Sequence, residues 1–279
     1  MPELPEVETV RRTLLPIVGS KVRSLWTSGK PLHMNRPVDC RGVERATVGG
    51  TFEAVRRIGK FLLLDFAGRP QSLVVHLGMT GRLRVVEARA PRPTHTHLIW
   101  SLSGRRELRY TDARRFGQVL ICERDNERAH PALENLGIDP LVEDFSGELL
   151  YEAARGRKTA VKSLLLDQSV LAGIGNIYAS EALWRAKISP TVRASRLTRL
   201  RALALGRAVV EVLDHALTHG GTSLRDFVDA DGSQGEHSAY LWVYGRAGQS
   251  CRRRGCNTAI RRKLIQGRAT FYCPRCQHS

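Results

Sequence analysis

Residues 60–88, KFLLLDFAGRPQSLVVHLGMTGRLRVVEA, hold three short apolar runs separated by Gly, Pro and Arg. Runs of this length, rich in Leu and Val and bounded by turn residues, are typical of strands joined by tight turns. Five more runs of the same kind surround them: VRSLWT (22–27), GTFEAVRRI (50–58), THLIWSLS (96–103), RELRYTD (106–112) and GQVLIC (117–122). Eight such runs between Lys21 and about Glu123 predict an antiparallel β-sandwich or barrel.

Helical patterns flank this region on both sides. Residues 3–18 carry Val7, Val10, Leu14 and Ile17 at helical spacing, and Pro16 should bend or end that helix. Helices are also predicted at 130–136, 147–155, 159–168, 176–187 and 195–218. The polar stretch 229–240, DADGSQGEHSAY, predicts a mobile loop, and LWVYG (241–245) resembles a strand. The chain is therefore predicted to be an α+β protein.

The charge of the chain points to a polyanionic partner. The 279 residues carry a formal net charge of +17, and the pI is about 10.4. Nucleic acid is the first candidate, and an anionic membrane surface is the second, although no basic amphipathic helix with an aromatic face is evident. No apolar run approaches a membrane span, and the N-terminus does not resemble a signal peptide, so we expect a cytoplasmic, nucleoid-associated protein.

Four of the six cysteines lie within the last 30 residues of the chain. Cys251 and Cys256 are separated by four residues, and Cys273 and Cys276 by two. This spacing is typical of a structural four-cysteine zinc site. The residues between the two pairs suggest strand, turn and strand, with TAIRRK, LIQG and RATFY in those roles. The sequence therefore predicts an arginine-rich β-hairpin held at its base by one zinc ion.

The first ten residues, MPELPEVETV, allow two interpretations. Pro2 and the following glutamates suit an ordinary helix start, because Pro is common there and Glu complements the helix dipole. If Met1 is removed, however, Pro2 becomes a secondary amine with a carboxyl group, Glu3, beside it. Such an amine is a nucleophile near neutral pH and forms Schiff bases with carbonyl-like carbons.

Two further features suit a nucleic-acid ligand. GIGNIYASEALWRA (173–186) places a Gly-x-Gly turn before a helix, with Asn176 as the expected N-cap, which is an arrangement that binds phosphate. Met79, Arg114 and Phe116 fall in turn-rich contexts and could enter a base stack. A glycine-rich helix connection and ordinary core or turn residues are the alternative interpretations of these two features.

Taken together, these segments resemble the bacterial formamidopyrimidine-DNA glycosylases, which remove oxidised purines and nick the abasic site. The resemblance extends nearly from end to end. The motifs that carry it are PELPEVET (2–9), RRIGKFLLL (56–64), HLGMTGRLR (76–84), RYTDARRFG (109–117), KTAVK (158–162), GIGNIYASEALW (173–184), GGTSLRDF (220–227), VYGR (243–246) and GRATFYCPRCQ (267–277). Endonuclease VIII-like enzymes, which act on oxidised pyrimidines, generally begin Pro-Glu-Gly-Pro-Glu instead.

The resemblance implies a role for each matching residue. Pro2 would be the nucleophile and Glu3 the proton donor, while Lys60 would act in β-elimination and Arg268 in δ-elimination. Met79, Arg114 and Phe116 would fill the space left by an extruded base. The remaining DNA contacts would come from His95, Arg157, Lys162 and Asn176. The partner would be double-stranded DNA with oxidised bases or abasic sites, bound by a monomer that has no membrane contact.

The family also implies a domain plan and leaves alternatives open. We expect a β-sandwich catalytic domain at 1–125, a helix–two-turn–helix domain at 126–240 and a zinc finger at 241–279. This sequence departs from the family in its Cys-x4-Cys spacing, in Ala113 where proline is common, and in Glu236 and His237 where many members have Tyr-Phe. A non-catalytic zinc protein that recognises damaged or bent DNA would share the charge and the finger but would need no free Pro2.

Overall fold

The structure is a computed structural model that describes residues 1–32, 38–142, 145–221 and 240–278. Two compact units are distinguished, one of Met1–Asn135 with Gly220–Glu236 and one of Leu136–His219 with His237–Ser279. None of the described helices has the length and apolarity needed to cross a bilayer. The loop predicted at 229–240, apart from Tyr240, lies outside the described residues, as do Glu236 and His237.

The first unit contains two four-stranded antiparallel sheets, so the predicted sandwich is confirmed. All eight predicted runs form strands: β1 (Val22–Thr27), β2 (Phe52–Ile58), β3 (Phe61–Phe66), β4 (Gln71–His76), β5 (Gly81–Glu87), β6 (Thr96–Leu102), β7 (Arg106–Asp112) and β8 (Gln118–Glu123). The sheet orders are β1-β6-β7-β5 and β2-β3-β4-β8. Side chains from both sheets, among them Trp100, Phe66 and Leu73, form one buried core.

Two helices complete the described part of this unit. Helix α1 (Leu4–Leu14) buries Val7, Val10 and Leu14, and a short 3₁₀ turn over Leu15–Ile17 follows it at Pro16, as predicted. Helix α2 (Cys40–Thr47) was not predicted. Its N-cap is Asp39, whose side chain accepts a hydrogen bond from the backbone N–H of Gly42 at 2.9 Å. Asp is a favoured N-cap residue, and Gly42 in the interior of the helix weakens the helical pattern of this segment.

The second unit is helical as predicted, with corrected bounds. Its helices are α3 (Gly147–Ala154), α4 (Val161–Leu166), α5 (Asn176–Arg185) and α6 (Arg199–Thr218). Helix α6 begins four residues later than expected because Thr198 caps it, accepting a hydrogen bond from the backbone N–H of Arg201. Where the predicted helix would have begun, Ala194–Arg196 form a separate 3₁₀ turn.

The prediction of a helix at 130–136 is wrong. Residues 127–129 form a 3₁₀ turn and residues 131–135 are turns. Gly137 and Ile138 donate their backbone N–H groups to the carbonyls of Gln168 and Val170, so this part of the chain pairs with a distant segment instead of coiling.

The prediction of a strand at 241–245 is also wrong, because Glu181 accepts the hydrogen bonds of backbone N–H groups that a neighbouring strand would otherwise accept. The carboxylate of Glu181, on α5, accepts from the backbone N–H groups of Trp242, Val243 and Tyr244 at 2.9, 3.0 and 2.7 Å. A carboxylate that accepts three adjacent N–H groups replaces the neighbouring strand that such a segment would otherwise need.

The predicted hairpin is present, with a shifted turn. Strand β9 (Arg261–Ile265) pairs antiparallel with β10 (Arg268–Tyr272). The prediction placed LIQG in the turn, yet Leu264 and Ile265 continue the strand. Only Gln266 and Gly267 turn, and both have positive φ, 47° and 71°. Two such residues form a tight hairpin whose twist matches that of the strands.

Candidate functional site

The N-terminal residues are fixed by the start of α1. Glu3 is the N-cap, and together with Glu6 it forms a capping box in which the backbone N–H of Glu3 donates to Oε2 of Glu6 at 2.8 Å. Both carboxyl groups are buried, at 4% and 2% exposure, and Pro2 is buried immediately before them. The capping box therefore sets the direction in which Pro2 leaves the helix and keeps the Glu3 carboxyl one residue away from it.

Lys60 lies in the two-residue turn between β2 and β3. Ile58 pairs with Phe61, and Gly59 supplies the positive φ of 55° that this turn requires. The Lys60 side chain is buried, at 7% exposure. Nη1 of Arg57 donates to the carbonyl of Gly59 at 3.0 Å, which holds the turn from the side.

The same arginine connects this turn to α1. Nε of Arg57 donates to Oε2 of Glu8 at 3.1 Å, while Arg11 and Arg12 donate to the same carboxylate. Burial alone would raise the pKa of Glu8, but the hydrogen bonds from Arg11 and Arg12 outweigh it and lower the pKa to about 2. The Glu8 carboxylate is therefore charged at neutral pH and joins the two segments that carry Pro2 and Lys60.

Met79, Arg114 and Phe116 lie on two neighbouring loops at one end of the sandwich. Met79 is in the β4–β5 turn and is 37% exposed, and Phe116 is in the β7–β8 loop and is 40% exposed. The guanidinium of Arg114 lies 4.5 Å from the centre of the Phe116 ring, within cation–π range. The loops are in contact, because a Cβ on Gly78 would lie 2.5 Å from the nitrogen of Gly117.

His95 is exposed on the loop before β6 and has a positive φ of 61°. This conformation is uncommon for a residue other than glycine and needs support from its surroundings. The support is a hydrogen bond to the His95 carbonyl from the backbone N–H of Asp112, at 3.0 Å.

In the second unit, Lys162 joins three segments from a buried position. Its ammonium group donates to Oδ1 of Asn176 at 2.6 Å, to Oγ1 of Thr270 at 2.8 Å and to the carbonyl of Ala269 at 3.3 Å, and the residue is 0% exposed. Lys162 was predicted as a DNA contact. Its charge instead lies inside the unit, where it holds α4, α5 and β10 together.

Asn176 was expected as the N-cap of its helix, and that expectation is wrong. Gly175 is the N-cap and Asn176 is the first helical residue. The reason is that the Asn176 side chain is engaged elsewhere: Oδ1 accepts from Lys162, and Nδ2 donates to the carbonyl of Ala269 at 2.9 Å. The predicted phosphate-binding N-terminus of α5 is therefore fixed against the hairpin.

The remaining predicted contacts are on the surface of this unit. Arg157 donates to Oδ2 of Asp167 at 2.7 Å and is partly exposed. Arg268 is the first residue of β10, directly after the hairpin turn, and it is exposed. Exposed Arg261, Arg262 and Lys263 lie on the opposite strand, so the hairpin carries a cluster of positive charge along its length.

The four clustered cysteines converge as predicted. Their sulfur atoms all lie within 4.8 Å of one another, and Sγ of Cys256 is 3.7 Å from Sγ of Cys273. Sulfurs at the corners of a zinc tetrahedron with 2.3 Å bonds would be separated by about 3.8 Å. The two additional residues of the Cys251–Cys256 loop are accommodated by a turn in which Gly255 has a φ of 74°. The four thiols therefore fit a metal ion.

The residues that sequence reasoning missed are buried charged groups, namely Glu8, Arg57, Asp112 and Glu181. All four are at most 8% exposed and are hydrogen-bonded to segments distant in sequence. A charged residue within an apolar pattern was the available signal, because an unpaired charge is not buried. That signal does not identify the residue with which each buried charge pairs.

Known protein families match most of the chain. The formamidopyrimidine-DNA glycosylase N-terminal domain matches residues 1–119, and the formamidopyrimidine-DNA glycosylase H2TH domain matches residues 136–228.

Individual relatives match at full length. The formamidopyrimidine-DNA glycosylase of Stutzerimonas stutzeri is 44% identical over 278 residues, which cover 99% of this chain and 100% of the relative. A Lactococcus lactis FPG variant in complex with a Fapy-dG containing DNA superposes with a TM-score of 0.90 at 34% identity, covering 100% of both chains. The Lactococcus lactis Fpg with an abasic site containing DNA has a TM-score of 0.89 at 34% identity, covering 99% of this chain and 100% of that one.

Proposed function

The chain belongs to the formamidopyrimidine-DNA glycosylase family, and we propose that it excises oxidised purines from duplex DNA and then cleaves the abasic site by β- and δ-elimination. It is a DNA glycosylase of base excision repair. The observation that carries the mechanistic proposal is the arrangement of the first unit. The capping box orients Pro2 and Glu3, and Arg57 connects their helix to the turn of Lys60.

Pro2 acts as the nucleophile once Met1 has been removed, because only then is its nitrogen an amine. Its lone pair attacks C1′ of the damaged nucleotide, the bond from C1′ to the base breaks, and the base leaves with that electron pair and takes up a proton, while the Pro2 nitrogen loses its own. Glu3 supplies the proton that the opening of the sugar requires. The product is an iminium ion between Pro2 and C1′.

The iminium ion then makes strand cleavage possible. It acidifies C2′, and Lys60 assists removal of a C2′ proton, so that the bond from C3′ to its phosphate breaks in β-elimination. Arg268 holds the second phosphate, and loss of the C4′ proton then lets the bond from C5′ to that phosphate break in δ-elimination. Water finally hydrolyses the iminium ion and regenerates Pro2.

The second unit binds the phosphate backbone of the DNA. Arg157, Arg268 and the N-terminus of α5 offer donors and positive charge, and Lys162 supports Asn176 and Ala269 from inside. Cys251, Cys256, Cys273 and Cys276 would hold one structural zinc ion, which stabilises the hairpin and takes no part in the chemistry.

Double-stranded DNA with an oxidised base or an abasic site is the proposed substrate. Met79 and Phe116 enter the duplex where the damaged base has been extruded, Arg114 faces the unpaired partner base, and His95 contacts the backbone. We place this activity at the chromosome in the bacterial cytoplasm and expect the chain to act as a monomer.

The test is excision from a panel of 5′-labelled duplexes carrying 8-oxoguanine, a formamidopyrimidine, an oxidised pyrimidine or an abasic site. We expect the two purine lesions to react fastest and the labelled product to end in a phosphate, as β,δ-elimination requires. A preference for the pyrimidine would instead support an endonuclease VIII-like specificity. Binding without cleavage of any duplex would support a non-catalytic damage-recognition protein.

A further inference from the structure

Asp112 is the last residue of β7. Its buried carboxylate accepts hydrogen bonds from both the β4–β5 turn, which carries Met79, and the β7–β8 loop, which carries Phe116. Oδ1 accepts from the hydroxyl of Thr80 at 2.5 Å and from the backbone N–H of Arg114 at 3.2 Å. Oδ2 accepts from the backbone N–H of Gly117 at 2.8 Å and from the hydroxyl of Tyr110 at 3.2 Å. Thr80 follows Met79 on the first loop, while Arg114 and Gly117 bracket the second, so one carboxylate fixes both.

The backbone of the same residue fixes the loop of His95. The N–H of Asp112 donates to the carbonyl of His95, and the carbonyl of Asp112 is 3.0 Å from Nε2 of His97. Burial lowers the pKa of His97, so its ring is neutral at pH 7. Nε2 then carries the proton and donates to Asp112, while Nδ1 accepts from the hydroxyl of Ser28 at 3.1 Å.

Two glycines, Gly78 and Gly117, allow the two loops to approach each other closely around Asp112. The nitrogen of Gly117 leaves no room for a side chain on Gly78, and the hydroxyl of Tyr110 leaves none on Gly117. Burial raises the pKa of Tyr110 well above its usual value, so the phenol keeps the proton that it donates to Asp112. The two loops are therefore one packed body with a carboxylate at its centre.

From these contacts we propose that Asp112 is a positioning residue for base extrusion. It touches no DNA and holds Met79, His95, Arg114 and Phe116 in the arrangement that enters the duplex. This inference rests on the proposed function, which assigns those four residues to the DNA. Because the arrangement is formed in advance, binding to DNA does not include the conformational entropy cost of ordering the two loops.

The proposal separates two reactions of the enzyme. Excision of a damaged base requires that the base leave the stack and that side chains replace it. A preformed abasic site has no base to extrude, so strand cleavage there should depend far less on Asp112. A purely structural role would slow both reactions to the same extent.

The variant Asp112→Asn tests this in the full-length chain. All four partners of the carboxylate are donors, and an amide offers only one acceptor oxygen, so two donors would face an NH₂ group. Asp65→Asn is the matched control: Asp65 is also 0% exposed and accepts from Arg56 and Ser72, away from the two loops. Thr80→Val removes the hydrogen bond that Thr80 donates to Asp112 and the one that its hydroxyl accepts from the backbone N–H of Arg114 at 3.1 Å, but leaves the carboxylate in place. It is the variant to use if Asp112→Asn does not fold.

Two readouts are compared in single-turnover reactions at equal, saturating enzyme concentrations. The first is cleavage of an 8-oxoguanine duplex against cleavage of an abasic duplex. The second is the fluorescence of 2-aminopurine beside the lesion, which rises when the base leaves the stack. Thermal melting of each variant establishes that it is folded at the assay temperature.

We expect Asp112→Asn to slow 8-oxoguanine excision by about tenfold or more and to weaken the fluorescence rise, with abasic cleavage within about twofold of wild type. Thr80→Val should show a smaller effect of the same kind, and Asp65→Asn should change both reactions together. Asp112→Asn behaving like wild type, or losing both reactions equally, would overturn this inference alone. A wild-type chain that cleaves neither duplex would overturn the proposed function as well.

Discussion

Arg57 donates a hydrogen bond from Nε to Oε2 of Glu8 at 3.1 Å and a second from Nη1 to the carbonyl of Gly59 at 3.0 Å. One buried guanidinium thus connects the helix that follows Pro2 with the turn that carries Lys60. A planar, bidentate donor is required to reach both acceptors at once. The relative placement of the proposed nucleophile and the proposed elimination lysine therefore depends on this arginine.

Replacing Arg57 with Gln should slow Schiff-base chemistry without removing it. Glu8 would keep Arg11 and Arg12 as partners, but the Lys60 turn would lose its connection to α1. We expect about a tenfold decrease in the single-turnover rate on an abasic duplex, because catalysis is sensitive to small displacements of the reacting groups. Arg12→Gln is the control, since Arg12 also donates to Glu8 but does not contact the turn. Equal rates for the two variants would show that the connection does not matter.

Acid should destabilise the first unit through Glu8. The pKa of Glu8 is lowered from 4.5 to about 2 in the fold, so its ionisation stabilises the folded state above pH 4.5. That contribution, on the order of 1–3 kcal/mol, is lost as the pH falls from about 4.5 to about 2.

Denaturant titrations of wild type and Glu8→Gln at several pH values measure this contribution. The difference in unfolding free energy between the two chains should be largest near pH 6 and should shrink toward pH 2. A difference that does not depend on pH would show that the charge of Glu8 is not what stabilises the fold.

Gly221 should not tolerate a side chain. Its φ is 79°, and a Cβ there would lie 3.1 Å from Oε1 of Glu6, a member of the capping box behind Pro2. We expect Gly221→Ala to cost about 1 kcal/mol for the backbone conformation and a further 1–3 kcal/mol for the close contact. Gly68→Ala is matched, because Gly68 has a φ of 67° and nothing lies near its Cβ position. Equal losses of stability would indicate that the approach to Glu6 has no cost.

The strands were predictable from the sequence because their signal is local. Apolar runs between Gly and Pro located all eight strands of the sandwich within two residues, and the cysteine spacing located the thiol cluster. The segments that failed depend on distant partners. Residues 241–245 have the composition of a strand, but Glu181, some sixty positions earlier, takes their N–H groups.

The same distinction applies to the candidate site. Motifs identified Pro2, Lys60 and Arg268, and in the structure each of them lies beside a capping box or a tight turn, which are features formed by neighbouring residues. The burial of Lys162 and the central position of Asp112 could not be predicted. Both follow from tertiary packing that brings three or more segments to one side chain.

The cysteine cluster should contain one zinc ion that the hairpin needs. Cys256→Ser should lose the metal and, with it, the ordered hairpin that presents Arg268, so DNA affinity should fall by about tenfold or more. Cys40→Ser is the control, because Cys40 belongs to the first unit, where it lies beside Thr27, and is not one of the four clustered cysteines. Metal content by elemental analysis and binding to an abasic duplex are the measurements. Tight DNA binding by a metal-free Cys256→Ser chain would contradict the structural role of zinc.

The proposed reaction begins when Pro2, freed of Met1, attacks the sugar. Wild-type chain is incubated with an 8-oxoguanine duplex in the presence of borohydride, and the product is digested and analysed by mass spectrometry. We expect a covalent protein–DNA adduct on the nitrogen of Pro2 in chains that lack Met1, and none in chains that retain it. No adduct from processed chains that still excise the base, or an adduct on Lys60 instead, would contradict the proposed reaction.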